Sequence, residues 1–137
     1  MTKGLTIFLF VSLSFSWLMV NGQKQKTVHV LTSDEVKIVK KDAATMFAAA
    51  DYKGALNGYL DLYKSDPKNA EYNYRLGYCY LLTTVNKAAS LKYLEVANQS
   101  KDAKKEWLYY LGMANMYNEK WDDASKAFND YKSATNS

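Results

Sequence analysis

The feature that most constrains this chain is an internal repeat with a period of 34 to 35 residues. The pair Leu76-Gly77 recurs 35 residues later as Leu111-Gly112, and Ala89-Ser90 recurs at the same distance as Ala124-Ser125. A fixed period of this size is typical of chains that stack one supersecondary unit on the next. We therefore predict three stacked units, at about 36–69, 70–104 and 105–137.

Each unit is predicted to be a pair of helices. In the second unit, Leu76, Tyr80 and Leu81 have the spacing of one helical face. Val85-Asn86 interrupts that pattern, and a second helix is predicted from Ala88 onwards. The predicted fold class is therefore all-α, with three helix-turn-helix hairpins.

Local signals predict several helix boundaries. Thr32 and Glu35 have the spacing of a capping box, in which each satisfies a free backbone N–H of the other. Asp51 marks the turn between the two helices of the first unit. Pro67, in the segment 66–69, cannot lie inside a helix and so predicts the end of the second.

The first 22 residues have the layout of a secretory signal peptide. Lys3 supplies the positive charge, Leu5 to Val20 form the apolar run, and Val20-Asn21-Gly22 offers small residues at the positions that a signal peptidase reads. We predict cleavage after Gly22 and export to the periplasm, or association with the outer membrane; a retained anchor is the alternative. Residues 23–31 are predicted to be a loose arm, and 32–137 the repeat domain.

Composition excludes several classes of site. The chain has one His, one Cys and a formal charge of +4. These counts argue against a disulfide framework, a Cys/His zinc site and a nucleic-acid-binding surface. His29 lies in the arm, so we expect no enzymatic activity, no cofactor and no metal. Cys79 is predicted to be buried as a small apolar side chain, with an intermolecular bridge as the alternative.

The repeat resembles the tetratricopeptide repeat over about residues 36 to 133. That pattern has Leu-Gly, a later Tyr, then Ala, an aromatic residue and a closing Pro. The first unit has Asp42-Ala43 in place of Leu-Gly, and only that unit ends in Pro. The matching residues are Ala43, Met46, Ala55, Tyr59 and Pro67; Leu76, Gly77, Tyr80, Ala89 and Tyr93; and Leu108, Leu111, Gly112, Ala124 and Phe128.

The resemblance implies a short right-handed solenoid whose first helices line a concave groove that binds a protein or peptide partner. Lys40 and Arg75 are predicted to orient that partner. Ala44 and Glu106 depart from the residues with which some members clamp a C-terminal carboxylate, so we expect no such clamp. An aromatic or Met stripe can also be simple packing. The predicted groove residues are Lys40, Phe47, Tyr74, Arg75, Tyr78, Leu81, Tyr109, Met113 and Met116, with Lys37, Ala44, Glu71 and Glu106 at further groove positions.

The last hairpin is predicted to be partly uncovered. Few residues follow Phe128 and Tyr131, while stacked repeats need a polar end. A longer chain, a partner or second copy that covers the end, and tolerated exposure are the alternatives. YNYRLGYCYL and WDDASKAFNDY resemble the N-terminal repeats of OmpA-family envelope proteins of Bacteroidetes. The alternative function is thus a spacer or assembly module that dimerises through this hairpin.

Overall fold

The structure, a computed structural model, describes residues 31–136. The predicted signal segment, its cleavage site and the arm up to residue 30 lie outside this range. Within it there are six α-helices and no strand. The helices are α1 (Ser33–Ala48), α2 (Tyr52–Ser65), α3 (Ala70–Leu82), α4 (Ser90–Asn98), α5 (Lys105–Tyr117) and α6 (Trp121–Thr135).

Each helix packs against the next one in sequence, and α3 also packs against α5. The prediction of an all-helical protein is therefore confirmed for 31–136. Neighbouring helices form three pairs, α1 with α2, α3 with α4, and α5 with α6. Two buried clusters join the pairs. One is centred on Leu62 and Leu76, and the other on Leu81 and Leu94.

Side-chain caps start the first three helices where the sequence predicts boundaries. Thr32 and Glu35 form the capping box at α1. The Asp51 carboxylate accepts a hydrogen bond of 2.8 Å from the Gly54 N–H at the start of α2. α2 ends at Ser65, two residues before Pro67, as predicted.

Every helix pair is in close contact at a small residue. A Cβ placed on Gly77 would lie 2.7 Å from Leu94 Cγ, and one on Gly112 would lie 2.6 Å from the Phe128 ring. Such distances leave no room for any side chain, which explains the glycine in each repeated Leu-Gly pair. The three close approaches are Ala43 with Gly58, Gly77 with Leu94, and Gly112 with Phe128.

The turn between α3 and α4 differs from the sequence prediction. A 3-10 turn occupies Lys87–Ala89, and α4 begins at Ser90, two residues later than predicted. The Asn86 side chain accepts from the Ala89 N–H at 3.3 Å, and the Ser90 hydroxyl donates to the Lys87 carbonyl at 2.6 Å. These local bonds hold the tighter turn before the α-helix starts.

Candidate functional site

The predicted groove residues of α1 and α3 meet in one aromatic layer. Phe47 lies with its ring centroid 5.1 Å from that of Tyr78, and Tyr78 lies 5.7 Å from Tyr74. Tyr110 of α5 closes the layer, 4.6 Å from Tyr78. These rings are half-buried and contact one another as well as the neighbouring rings of Tyr52 and Trp107. Packing between helices is therefore a large part of their role.

Two hydroxyl groups of this layer, those of Tyr74 and Tyr78, have a raised pKa and are held in the neutral form. Burial, followed by hydrogen bonds to Tyr110 and Tyr52, raises the pKa of Tyr78 above its ordinary value. Burial also raises the pKa of Tyr74, whose ring stacks on Trp107 at 4.6 Å. A neutral, hydrogen-bonded layer suits a structural role, because ionising a buried phenol would be costly.

Arg75 is fixed by its own neighbours. Its guanidinium lies 4.2 Å from the centroid of the Phe47 ring, and its Nε donates to Glu71 Oε1 at 2.7 Å. Lys104 approaches the other oxygen of Glu71 at 4.0 Å. These contacts join α1, α3 and the start of α5, so Arg75 holds the helix pairs together as well as lying at the predicted groove.

Two predicted groove residues, Leu81 and Lys40, do not belong to the aromatic layer. Leu81 has no exposed surface and packs with Leu94 and Ala114 in the core, so it offers nothing to a partner in this conformation. Lys40 is exposed on α1. The positional pattern of the repeat does not distinguish these two environments.

An exposed apolar surface lies along α5 and continues onto the start of α6. We call it the α5 strip. Met113 is partly buried, whereas Met116 is 45% exposed and Trp121 is 61% exposed. A pocket of about 280 Å³ opens among Met113, Met116, Tyr117 and Trp121. The members of the α5 strip are Tyr109, Met113, Met116, Tyr117 and Trp121.

Polar contacts fix the rim of this pocket. Asn118 Nδ2 donates to the carbonyl of Ala114 at 2.8 Å and to that of Ala88 at 3.1 Å, which ties the α5–α6 turn to the α3–α4 turn. Lys87 Nζ donates to the Leu81 carbonyl at 2.7 Å and lies 5.0 Å from the centroid of the Tyr117 ring. The pocket is thus preformed rather than dependent on a loose loop.

Sequence reasoning missed Tyr117 and Trp121. Both are among the most exposed large apolar residues in the described range, at 49% and 61%. Sequence position gave no signal for Trp121, because Tyr52 at the equivalent first position of α2 packs against the core. Tyr117 has no signal either, because only the tertiary fold places it at the pocket.

The two aromatic residues predicted at the exposed end of the last hairpin are partly covered by α5. Phe128 and Tyr131 are half-buried, and both lie within 6 Å of Tyr109, ring centroid to ring centroid. The exposed side of α6 includes Lys126 and Asp130, which form an ion pair at 2.7 Å. The apolar surface left bare at this end is therefore mainly the α5 strip, which includes Trp121 at the start of α6.

Cys79 is fully buried and unpaired within 31–136, and burial raises the pKa of its thiol to about 12. Both observations fit the predicted role as a small apolar core residue.

No group of three or more potential metal ligands occurs among the described residues. The same part of the chain has no helix with the length and hydropathy needed to cross a bilayer. Protein-family models and curated proteins contain no match to this sequence.

Proposed function

We propose that this chain is an exported helical-repeat adaptor of the tetratricopeptide type. It binds an apolar segment of a partner protein on the α5 strip. The three helix pairs and their small residues at each close approach support the repeat type, and the first 22 residues support export to the envelope. The observation that carries the binding proposal is the exposed pocket of about 280 Å³.

The pocket's dimensions favour one class of ligand. Its volume of about 280 Å³ lies just below the range of about 300 to 1,000 Å³ for small-molecule sites, which suits one or two side chains of a larger partner. A buried Leu or Phe side chain contributes about 1.5 to 3 kcal/mol to binding before entropic costs. Met116 adapts to irregular shapes, and Trp121 offers a rigid contact, a combination common at protein-binding surfaces.

The shape of the strip favours a helical segment. Tyr109, Met113 and Met116 recur at spacings of four and three residues, so they form one ridge along α5. An amphipathic helix lays apolar residues of the same spacing along such a ridge. The partner is therefore a segment with large apolar residues at i, i+3 or i+4, and i+7.

Selection from a displayed library of short peptides tests this function. We expect the protein to enrich apolar sequences with helical spacing. Capture of the selected peptides should fall at least tenfold on Met116→Asp, which places an unpaired charge in the pocket. Val96→Asp is the matched control, because Val96 is 40% exposed on α4 and lies outside the strip. Equal capture by both variants would contradict the proposal.

A further inference from the structure

Two bare apolar residues lie on helices from opposite ends of the described chain. Ile38 on α1 is 62% exposed, and Tyr109 on α5 is 42% exposed. The repeat aligns Ile38 with Tyr72 of the second helix pair and Trp107 of the third. Those two counterparts are only 8% and 3% exposed. Among the described residues, Ile38 is thus the member of this set that no other helix pair covers.

The same alignment shows what the covered counterparts contact. Tyr109 aligns with Tyr74, and Tyr74 stacks on Trp107 with ring centroids 4.6 Å apart. At the contact between the second and third helix pairs, Trp107, the equivalent of Ile38, therefore covers Tyr74, the equivalent of Tyr109. Ile38 and Tyr109 are thus equivalent to two residues that contact each other inside the fold, but in the described residues each lacks the corresponding partner.

Charge supports the same match. Leu111 packs against the core cluster that contains Leu91. At a contact between two copies, the place of Leu111 is taken by Asp42, its equivalent two repeats earlier, and the place of Leu91 by Lys126, its equivalent one repeat later. Asp42 and Lys126 are exposed and opposite in charge, although Lys126 also pairs with Asp130 at 2.7 Å within its own helix. Two positions that belong to one apolar cluster inside the fold would therefore carry opposite charges across a contact between two copies.

We propose that copies of this chain associate head to tail. Ile38 of one copy lies on Tyr109 of the next, and Asp42 faces Lys126. This inference rests on the two ends of the fold and goes beyond peptide binding. Because the two surfaces differ, the contact is heterologous and can extend into open rows rather than stop at a dimer.

The association is expected to be weak. An exposed ion pair contributes at most about 1 kcal/mol, much less than the leucine packing that it replaces. Sedimentation velocity of the chain as purified from cells, from about 10 µM to about 1 mM, should show a weight-average coefficient that rises with concentration. Ile38→Asp should abolish the rise, and Val96→Asp should not.

Mixing two variants tests the polarity of the contact. Ile38→Asp disrupts the α1 surface of the contact and leaves the Tyr109 surface intact. Tyr109→Ala disrupts the Tyr109 surface and leaves the α1 surface intact. Each variant alone should remain monomeric, and their mixture should form dimers but nothing larger. A two-fold dimer through α5 or α6 would instead persist in Ile38→Asp alone, which would overturn the proposal.

Charge reversal provides a second, independent readout. Asp42→Lys and Lys126→Asp should each weaken association, and the double variant should recover it. Head-to-tail association is overturned if the sedimentation coefficient of the unmodified chain does not rise with concentration. It is also overturned if the coefficient of Ile38→Asp rises as much as that of the unmodified chain. Peptide capture on the α5 strip is measured separately and should survive Ile38→Asp, since α1 does not line the pocket. Failure of one proposal is therefore distinguishable from failure of the other.

Discussion

The ring of Tyr74 on α3 lies nearly parallel to that of Trp107 on α5, with 10° between their planes. Trp107 is 3% exposed, so this stacked pair fills the joint between the second and third helix pairs. At the end of the described helices, Tyr109 occupies the position of Tyr74 without such a covering ring. One sequence position is thus core in the middle of the fold and surface at its end.

Because Trp107 is buried in the stacked pair and Trp121 is exposed, replacing them should affect the stability of the protein very differently. Trp107→Ala should lower the free energy of unfolding by about 3 to 5 kcal/mol, because it leaves a cavity in the joint. Trp121→Ala should change it by no more than about 0.5 kcal/mol, since Trp121 is exposed. Urea unfolding followed by circular dichroism measures both values. Comparable losses would contradict the assigned environments.

Gly112→Ala should destabilise the protein although alanine is the better helix former. The new Cβ would meet the ring of Phe128, and overpacking of this kind costs about 1 to 3 kcal/mol. Phe128→Leu in the same chain should relieve the overlap, so the double variant should lose less than the sum of the two single losses. Additive losses in denaturant unfolding would show that the two residues do not meet.

Two turns hold non-glycine residues in the left-handed backbone region, Ala50 at φ 60° and Glu119 at φ 58°. The left-handed conformation costs an L-residue about 1 to 2 kcal/mol, part of which glycine avoids. Glu119→Gly and Ala50→Gly should therefore each raise the free energy of unfolding by about 0.5 to 1 kcal/mol. The matched control is Ala44→Gly inside α1, which should lower it by about 1 kcal/mol. A change of the same sign in the thermal unfolding midpoint of all three variants would contradict the left-handed conformation of Ala50 and Glu119.

Stability should decline in alkaline solution. Burial raises the pKa of Cys79 to about 12 in the folded protein, whereas an unfolded Cys ionises near about 8.5. Above about pH 9 the unfolded chain has lost this proton and the folded chain has kept it, so unfolding releases a proton and becomes more favourable as pH rises. The loss is about 1.4 kcal/mol per pH unit for each such proton.

Below the pKa of the unfolded thiol, Cys79 should add no pH dependence. Tyr74 and Tyr78 add to the decline nearer pH 10, because their folded pKa values are also raised. Denaturation midpoints measured from pH 7 to pH 11 give the slope. Cys79→Ala should flatten it between about pH 9 and pH 10, and the same slope in both proteins would contradict burial of the thiol.

The parts of the fold that local chemistry determines were predictable. Thr32, Asp51 and Pro67 act on the backbone within a few residues, so their boundaries follow from the sequence alone. The glycine of each Leu-Gly pair likewise predicts a close helix contact. The 3-10 turn before Ser90 was not predicted, because it depends on several weak local hydrogen bonds acting together.

The candidate site was only partly predictable. The repeat pattern assigns Leu81 and Met116 to equivalent positions, yet Leu81 is fully buried and Met116 is 45% exposed. The difference arises because a further helix pair covers the first position and not the second. Tyr117 joins the pocket through the α5–α6 turn, which sequence spacing does not describe.

Trp121 offers the most direct test of the docking proposal. In the exported protein labelled with fluorotryptophan, Trp107 and Trp121 each give a fluorine NMR signal, and Trp121→Phe assigns the signal of Trp121. Titration with a peptide selected by the unmodified protein should shift the Trp121 signal and leave that of buried Trp107 nearly unchanged. A peptide that binds without moving the Trp121 signal would contradict docking in the α5 strip.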